Sequence, residues 1–140
     1  MRLSQSYSGR NHYHSDQEYE RQRLFVTVPC RVGTRRIDGL LDTASEWCVM
    51  PPDLAHELGL DLDPAFADTR MSTRLGLLAG RLERSPLQFY PEQGEVIEVE
   101  ATWFVSEEWI GPPVIGWKGC LERIRFALDP GEEWFYFAEL

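Results

Sequence analysis

Two stretches of this chain alternate apolar and polar residues with a period of two, and that periodicity commits the fold to β-structure. Leu24, Val26, Val28, Cys30 and Val32 fall on one face of an extended segment. Ile97, Val99, Ala101, Trp103 and Val105 do the same within residues 96–105. Successive side chains of a strand point to opposite faces, so each segment reads as a strand with one buried face. Gly33-Thr34 turns the chain after the first strand, and residues 35–41 return as its hairpin partner. Residues 46–50 read as a short apolar strand. Pro51-Pro52-Asp53 then opens a short helix. Proline is tolerated in a first turn, and an acid there complements the helix dipole. Leu54 and Leu58 share one face of that helix, and Gly59 ends it.

The remaining segments continue the pattern. Residues 61–68 read as a loop, and residues 69–89, which contain Gly76 and Gly80, as a hairpin. Residues 107–113 form a loop, Val114-Ile115-Gly116 a short buried strand, and residues 117–124 a short helix. Residues 125–128 are a strand, Asp129-Pro130-Gly131 a turn, and residues 134–137 a last, aromatic strand. No internal repeat is visible. Closely spaced strands with turn signals between them close into a barrel or a sandwich. The fold class is therefore mainly β with one or two short helices. A chain of 140 residues, 43% hydrophobic, has material for one core and not two. We expect a single domain over residues 23–140. Residues 1–22, rich in Ser, Gln, Arg and Tyr and without periodicity, read as a flexible polar arm.

The formal net charge of −9 repels phosphate backbones and anionic lipid, so neither nucleic acid nor a membrane surface is expected as a partner. Cys30, Cys48 and Cys120 are odd in number and widely spaced. They read as buried, reduced thiols rather than a disulfide framework or a zinc site. The first residues lack the apolar core of a signal peptide, and no apolar run reaches membrane-spanning length, so a reducing cytoplasmic setting is expected. His12, His14 and Asp16 form an H-x-H-x-D string, but a flexible segment cannot preorganise metal ligands. No metal or other cofactor is implied. A Cys48–His56 nucleophile pair is conceivable; the apolar strand around Cys48 argues for burial instead.

The segment that carries chemistry is Gly39-Leu40-Leu41-Asp42-Thr43-Ala44-Ser45. An apolar strand runs directly into a carboxylate, a hydroxyl and two small residues. Leaving a carboxylate unpartnered at a buried strand end is costly, so it has either a partner or a task. The plain alternative is a turn, which Asp42 and Thr43 could cap by themselves. Taken with the hairpin around Gly76 to Gly80 and the later Val114-Ile115-Gly116, this order of elements resembles the retroviral-type (retropepsin-like) aspartic proteases. Those proteins carry a hydrophobic-hydrophobic-Asp-Thr/Ser-Gly loop, a flap hairpin, and a hydrophobic-hydrophobic-Gly element followed by a helix. The resemblance spans Leu24 to about Phe137.

That resemblance implies a closed β-barrel with a flap, and an aspartic endopeptidase in which Asp42 is the catalytic carboxylate. Thr43, Ala44 and Ser45 would support its loop, with Thr43 hydrogen-bonding across to the opposite loop. Leu75, Gly76 and Leu77 would form the flap over an extended peptide or protein substrate. Val114, Ile115 and Gly116 would form the buried element beside the loop. No other aspartate in the chain has this context, Asp68-Thr69-Arg70 being the nearest. The second carboxylate must then come from a second copy, so a homodimer is expected. The aromatic residues 134–137 either join that interface or pack on their own barrel. Ala44 stands where the family carries glycine. The alternative reading is a catalytically weak or inactive dimerisation or peptide-binding module on the same fold.

Overall fold

A computed structural model describes residues 6–15 and 25–140. In chain order the strands begin with β1 (Gly9–His12), β2 (His14–Ser15), β3 (Val26–Val32), β4 (Arg35–Leu41) and β5 (Cys48–Met50). The helix α1 (Pro52–Glu57) follows, then a 3-10 turn at Pro64–Phe66, β6 (Thr69–Thr73) and β7 (Gly76–Phe89). Next come β8 (Gln93–Gly94), β9 (Ile97–Val105), β10 (Val114–Ile115), a 3-10 turn at Leu121–Arg123, β11 (Ile124–Asp129) and β12 (Trp134–Glu139). The fold is mainly β in one small domain.

Six strands pair in a ring. β3 pairs with β4, β4 with β10, β10 with β5, β5 with β9, β9 with β7, and β7 returns to β3. β4–β10 and β5–β9 are parallel and the other four pairings antiparallel. Inside lie Val28, Cys30, Val32, Leu87, Phe89, Val99, Trp103 and Ile115 in one apolar cluster. Leu40, Val49, Met71, Leu78, Phe104, Trp109 and Val114 form a second cluster. Neighbouring residues divide between the two: Cys48 and Met50 join the first and Val49 the second, and likewise Ile115 and Val114. Strands covered on both faces read as continuous apolar runs, which is why β5 and β10 show no alternation in the sequence.

A second sheet has the order β11-β12-β1-β8. Its aromatic strand packs on its own barrel. Phe135 and Phe137 are fully buried, and each lies against Phe89 with ring centroids 5.7 and 5.5 Å away.

The structure departs from the sequence reading at two places. Part of the supposed polar arm is built into this second sheet: β1 pairs with β12 from Gly9↔Phe137 to His12↔Trp134. Its inward residues are Gly9 and Asn11, and Tyr13 just past its end is buried too. The buried Asn11 amide is satisfied, donating to the Tyr90 carbonyl at 2.6 Å and accepting from Glu92 N–H at 2.7 Å. The remainder of the arm, residues 1–5 and 16–22, lies outside the described residues, as do Leu24 and the Asp16 of the H-x-H-x-D string. The second departure is the helix expected over residues 117–124. In its place are turns and the 3-10 turn, because Gly119 takes φ of +75° and interrupts any α-helical run. A side chain at Gly119 would also strike Thr102 Oγ1, 2.6 Å from a Cβ built there.

Candidate active site

The loop after β4 is threaded against β10. Leu40 N–H donates to Pro113 O at 2.8 Å, and Asp42 N–H donates to Ile115 O at 3.0 Å, extending the parallel ladder into the loop. Within the loop, Ser45 N–H donates to Asp42 O at 3.1 Å, and Ala44 N–H donates to Asp42 Oδ1 at 3.0 Å. The second bond is an Asx turn, in which an aspartate side chain stands in for a backbone carbonyl. One carboxylate oxygen is therefore fixed, while Oδ2 lies 3.9 Å from Arg74 Nη2. Asp42 keeps 28% of its side-chain exposure.

The far end of the loop is equally tied. Ser45 Oγ donates to Trp47 O at 2.7 Å, Trp117 N–H donates to Ser45 O at 2.9 Å, and Lys118 N–H donates to Glu46 O at 2.8 Å. Gly116 lets these strands meet. A Cβ there would stand 2.2 Å from Trp47 O and 2.9 Å from Cys48 N, both backbone atoms that cannot swing aside. Its N–H donates to Cys48 Sγ at 3.4 Å.

The hairpin β6–β7 roofs this loop. Its turn is Arg74-Leu75, flanked by the pair Thr73↔Gly76. Gly76 takes φ of +106°, a conformation glycine reaches without a Cβ penalty. Thr73 Oγ1 donates to Gly76 O at 2.8 Å and accepts from Leu75 N–H at 3.1 Å, closing the turn with a side chain. Gly80 lies far from the turn, opposite Thr69, where a Cβ would meet Val105 O at 2.2 Å. Between loop and roof is a cleft of about 500 Å³. Its walls are mostly apolar: Leu40, Val49, Met71, Leu75, Trp109, Pro112 and Val114. Trp109 is held by its indole N–H, which donates to Pro112 O at 2.9 Å.

Of the residues singled out in the sequence, Asp42, Ala44, Ser45, Leu75 and Val114 line this cleft together. Thr43 is exposed beside Asp42. Gly76 and Leu77 are exposed just past the turn, and Ile115 and Gly116 lie buried behind the loop. Ala44 has no positive φ, so its Cβ introduces no left-handed strain, and the N–H that reaches Asp42 is present. Sequence reasoning did not find Arg74, Met71 or Trp109 for the cleft. Arg74 directly precedes the Leu75-Gly76 pair, and Trp109 sits four residues before Pro113 in the loop entering β10, so both positions were marked only by their neighbours.

Among the described residues, the other candidate chemistries are not assembled. Cys30, Cys48 and Cys120 are buried free thiols. Burial, with Cys48 nearby, pushes the Cys30 thiol up; a hydrogen bond with the neighbouring Cys48 that favours the protonated Cys120 thiol, together with burial, does the same for Cys120. His56 lies beside Glu107 at 3.4 Å, and His12 beside Glu92 at 2.8 Å while stacking on Trp134. Among the described residues, no group of His, Cys, Asp and Glu is arranged to hold a metal ion. No helix among them is long and apolar enough to cross a membrane.

Comparison with solved structures defines the class of this architecture. The chain matches a retropepsin-like aspartic protease from Rickettsia conorii at 17% identity, with 94% of each chain covered and a TM-score of 0.59. It also matches the retroviral protease-like domain of Ddi1 from Leishmania major at 16% identity and a TM-score of 0.50, covering 85% of this chain and 94% of that one. No protein-family model matches the sequence, and no curated protein does. The fold is retropepsin-like.

Proposed function

We propose that this chain is an aspartic endopeptidase that works as a homodimer, Asp42 of each copy supplying one carboxylate. The observation that carries the reading is the setting of Asp42. It directly follows β4 at the floor of a peptide-sized apolar cleft, one oxygen is fixed by Ala44 N–H, and a hairpin lies overhead. A single carboxylate cannot act as both base and acid in peptide hydrolysis. Two placed side by side cannot both ionise cheaply, so they share one proton. The ionised one takes a proton from water as that water attacks the peptide carbonyl. The protonated one donates to the carbonyl oxygen. An extended peptide between floor and roof would bind through backbone hydrogen bonds, with apolar side chains in the cleft. Thr43, exposed beside Asp42, would reach the partner's loop.

The test is the Asp42→Asn protein, assayed on a peptide library beside the wild type. Cleavage is expected to fall at least about 100-fold, with circular dichroism and sedimentation unchanged. The wild-type rate should be bell-shaped in pH, since one carboxylate of the pair must hold its proton and the other must not. Cleavage that persists in the Asp42→Asn protein ends this reading.

A further inference from the structure

We infer that Arg74 makes this cleft selective for peptides with an Asp or Glu side chain next to a large apolar one. Asp42 and Arg74 are the only charged residues lining the cleft among the described residues. The chain as a whole carries −9, so an acidic peptide has no general attraction to it. What attraction the cleft offers such a peptide comes from Arg74. The guanidinium already lies near a carboxylate: Arg74 Nη2 is 3.9 Å from Asp42 Oδ2. That is too long for a hydrogen bond, so Asp42 does not consume the donors of the fork. The side chain is 56% exposed. Its guanidinium is steadied over the Phe25 ring, 4.9 Å from the centroid, and its backbone by the Thr73-braced turn. A planar fork held in place is the arrangement that recognises a carboxylate with two parallel hydrogen bonds.

The position of the arginine selects the neighbouring residue as well. Side chains of an extended peptide alternate in direction. A residue that points down among Val49, Trp109 and Val114 has neighbours that point up toward the hairpin, where Arg74 waits. The preferred sequence is therefore an apolar residue followed or preceded directly by an acid. This inference rests on the peptide-cleft reading given above and adds the substrate class to it.

The test uses the full chain and hexapeptides made uncleavable by a reduced central amide, with Leu-Asp, Leu-Asn or Leu-Lys at the centre. Binding is read by fluorescence anisotropy. Wild type is expected to hold the Asp peptide about tenfold tighter than the Asn peptide, the value of one charge-assisted hydrogen bond. In Arg74→Gln the two should agree within about twofold, and Arg74→Glu should prefer the Lys peptide. An unchanged Asp preference in Arg74→Gln overturns the inference. So does uniformly tighter binding of all three peptides by that variant, which would make Arg74 a latch on Asp42, and so does an absence of any binding. Cleavable versions separate this from the protease reading. The binding preference without Asp42-dependent turnover would sink the enzyme and leave the selectivity. Turnover indifferent to Arg74 would do the reverse.

Discussion

The floor and the roof of the cleft are built by opposite means. The floor is held by main-chain hydrogen bonds: Asp42 to Ile115, Leu40 to Pro113, Ser45 to Asp42, and Trp117 back to Ser45. Side chains enter mainly as Asp42 itself and the Ser45 hydroxyl. The roof turn depends on one threonine hydroxyl and one glycine conformation, and it presents Leu75 and Leu77 to solvent, the latter 63% exposed. On the proposed reading, Asp42 as a reacting group needs a setting with no freedom, and a hairpin that admits a peptide needs a low cost of opening. The two halves of this cleft divide those requirements between them.

Four substitutions test that division, in decreasing order of effect. Gly116→Ala pushes a methyl into Trp47 backbone from which nothing can retreat. It should cost about 3 kcal/mol, read as a lower urea midpoint, and should disorder the Asp42 loop. A fully stable Gly116→Ala protein would show that the floor is less rigid than its hydrogen bonds imply. Gly76→Ala meets no atom within 4 Å, so its whole penalty is the positive φ, about 1–2 kcal/mol. That loss should appear as faster amide exchange confined to β6 and β7. Thr73→Val removes both bonds of the turn, for about 1 kcal/mol locally, and should speed exchange at Leu75 N–H without moving the global unfolding midpoint. Ala44→Gly keeps the N–H to Asp42 and relieves no strain. Stability should fall by about 0.5 kcal/mol through chain entropy, and any peptide cleavage should change by less than about threefold. A large gain in cleavage would mean that the Ala44 Cβ obstructs the site.

The barrel was legible because its strands obey a simple rule. Val28, Cys30 and Val32 on β3, and Val99, Ala101 and Trp103 on β9, share a buried face, and both strands form where the pattern puts them, although Pro29, Thr102 and Phe104 on the opposite faces are buried as well. β1 was illegible for the opposite reason. It packs Gly9 and Asn11 inward, a face that reads as polar and loop-like. Gly9 is there because a Cβ would meet the Phe137 ring at 2.7 Å, and Asn11 because its amide closes the Tyr90–Glu92 backbone. Neither need can be seen without the neighbouring strand. The same limit applies to residues 117–124, where an apolar–polar mixture looked helical and the left-handed Gly119 decides otherwise. In the cleft, Asp42 announced itself by following Leu40-Leu41. Arg74 did not, because an arginine at a hairpin turn is ordinary until the turn is seen to fold over a carboxylate.

Strand β12 is hydrogen-bonded on both flanks within its own chain, to β11 along one side and to β1 along the other. Two copies therefore cannot knit together by extending that strand. Among the described residues the end strands are β11 and β8 of this sheet and β2 and β6 of the other, and at β11 the exposed Arg125 and Glu122 beside it blunt the edge. On the proposed reading, copies that meet around their Asp42 loops without sharing the β12 ladder would dissociate on dilution. Their cellular concentration would then act as the switch that assembles or dissolves the reacting centre.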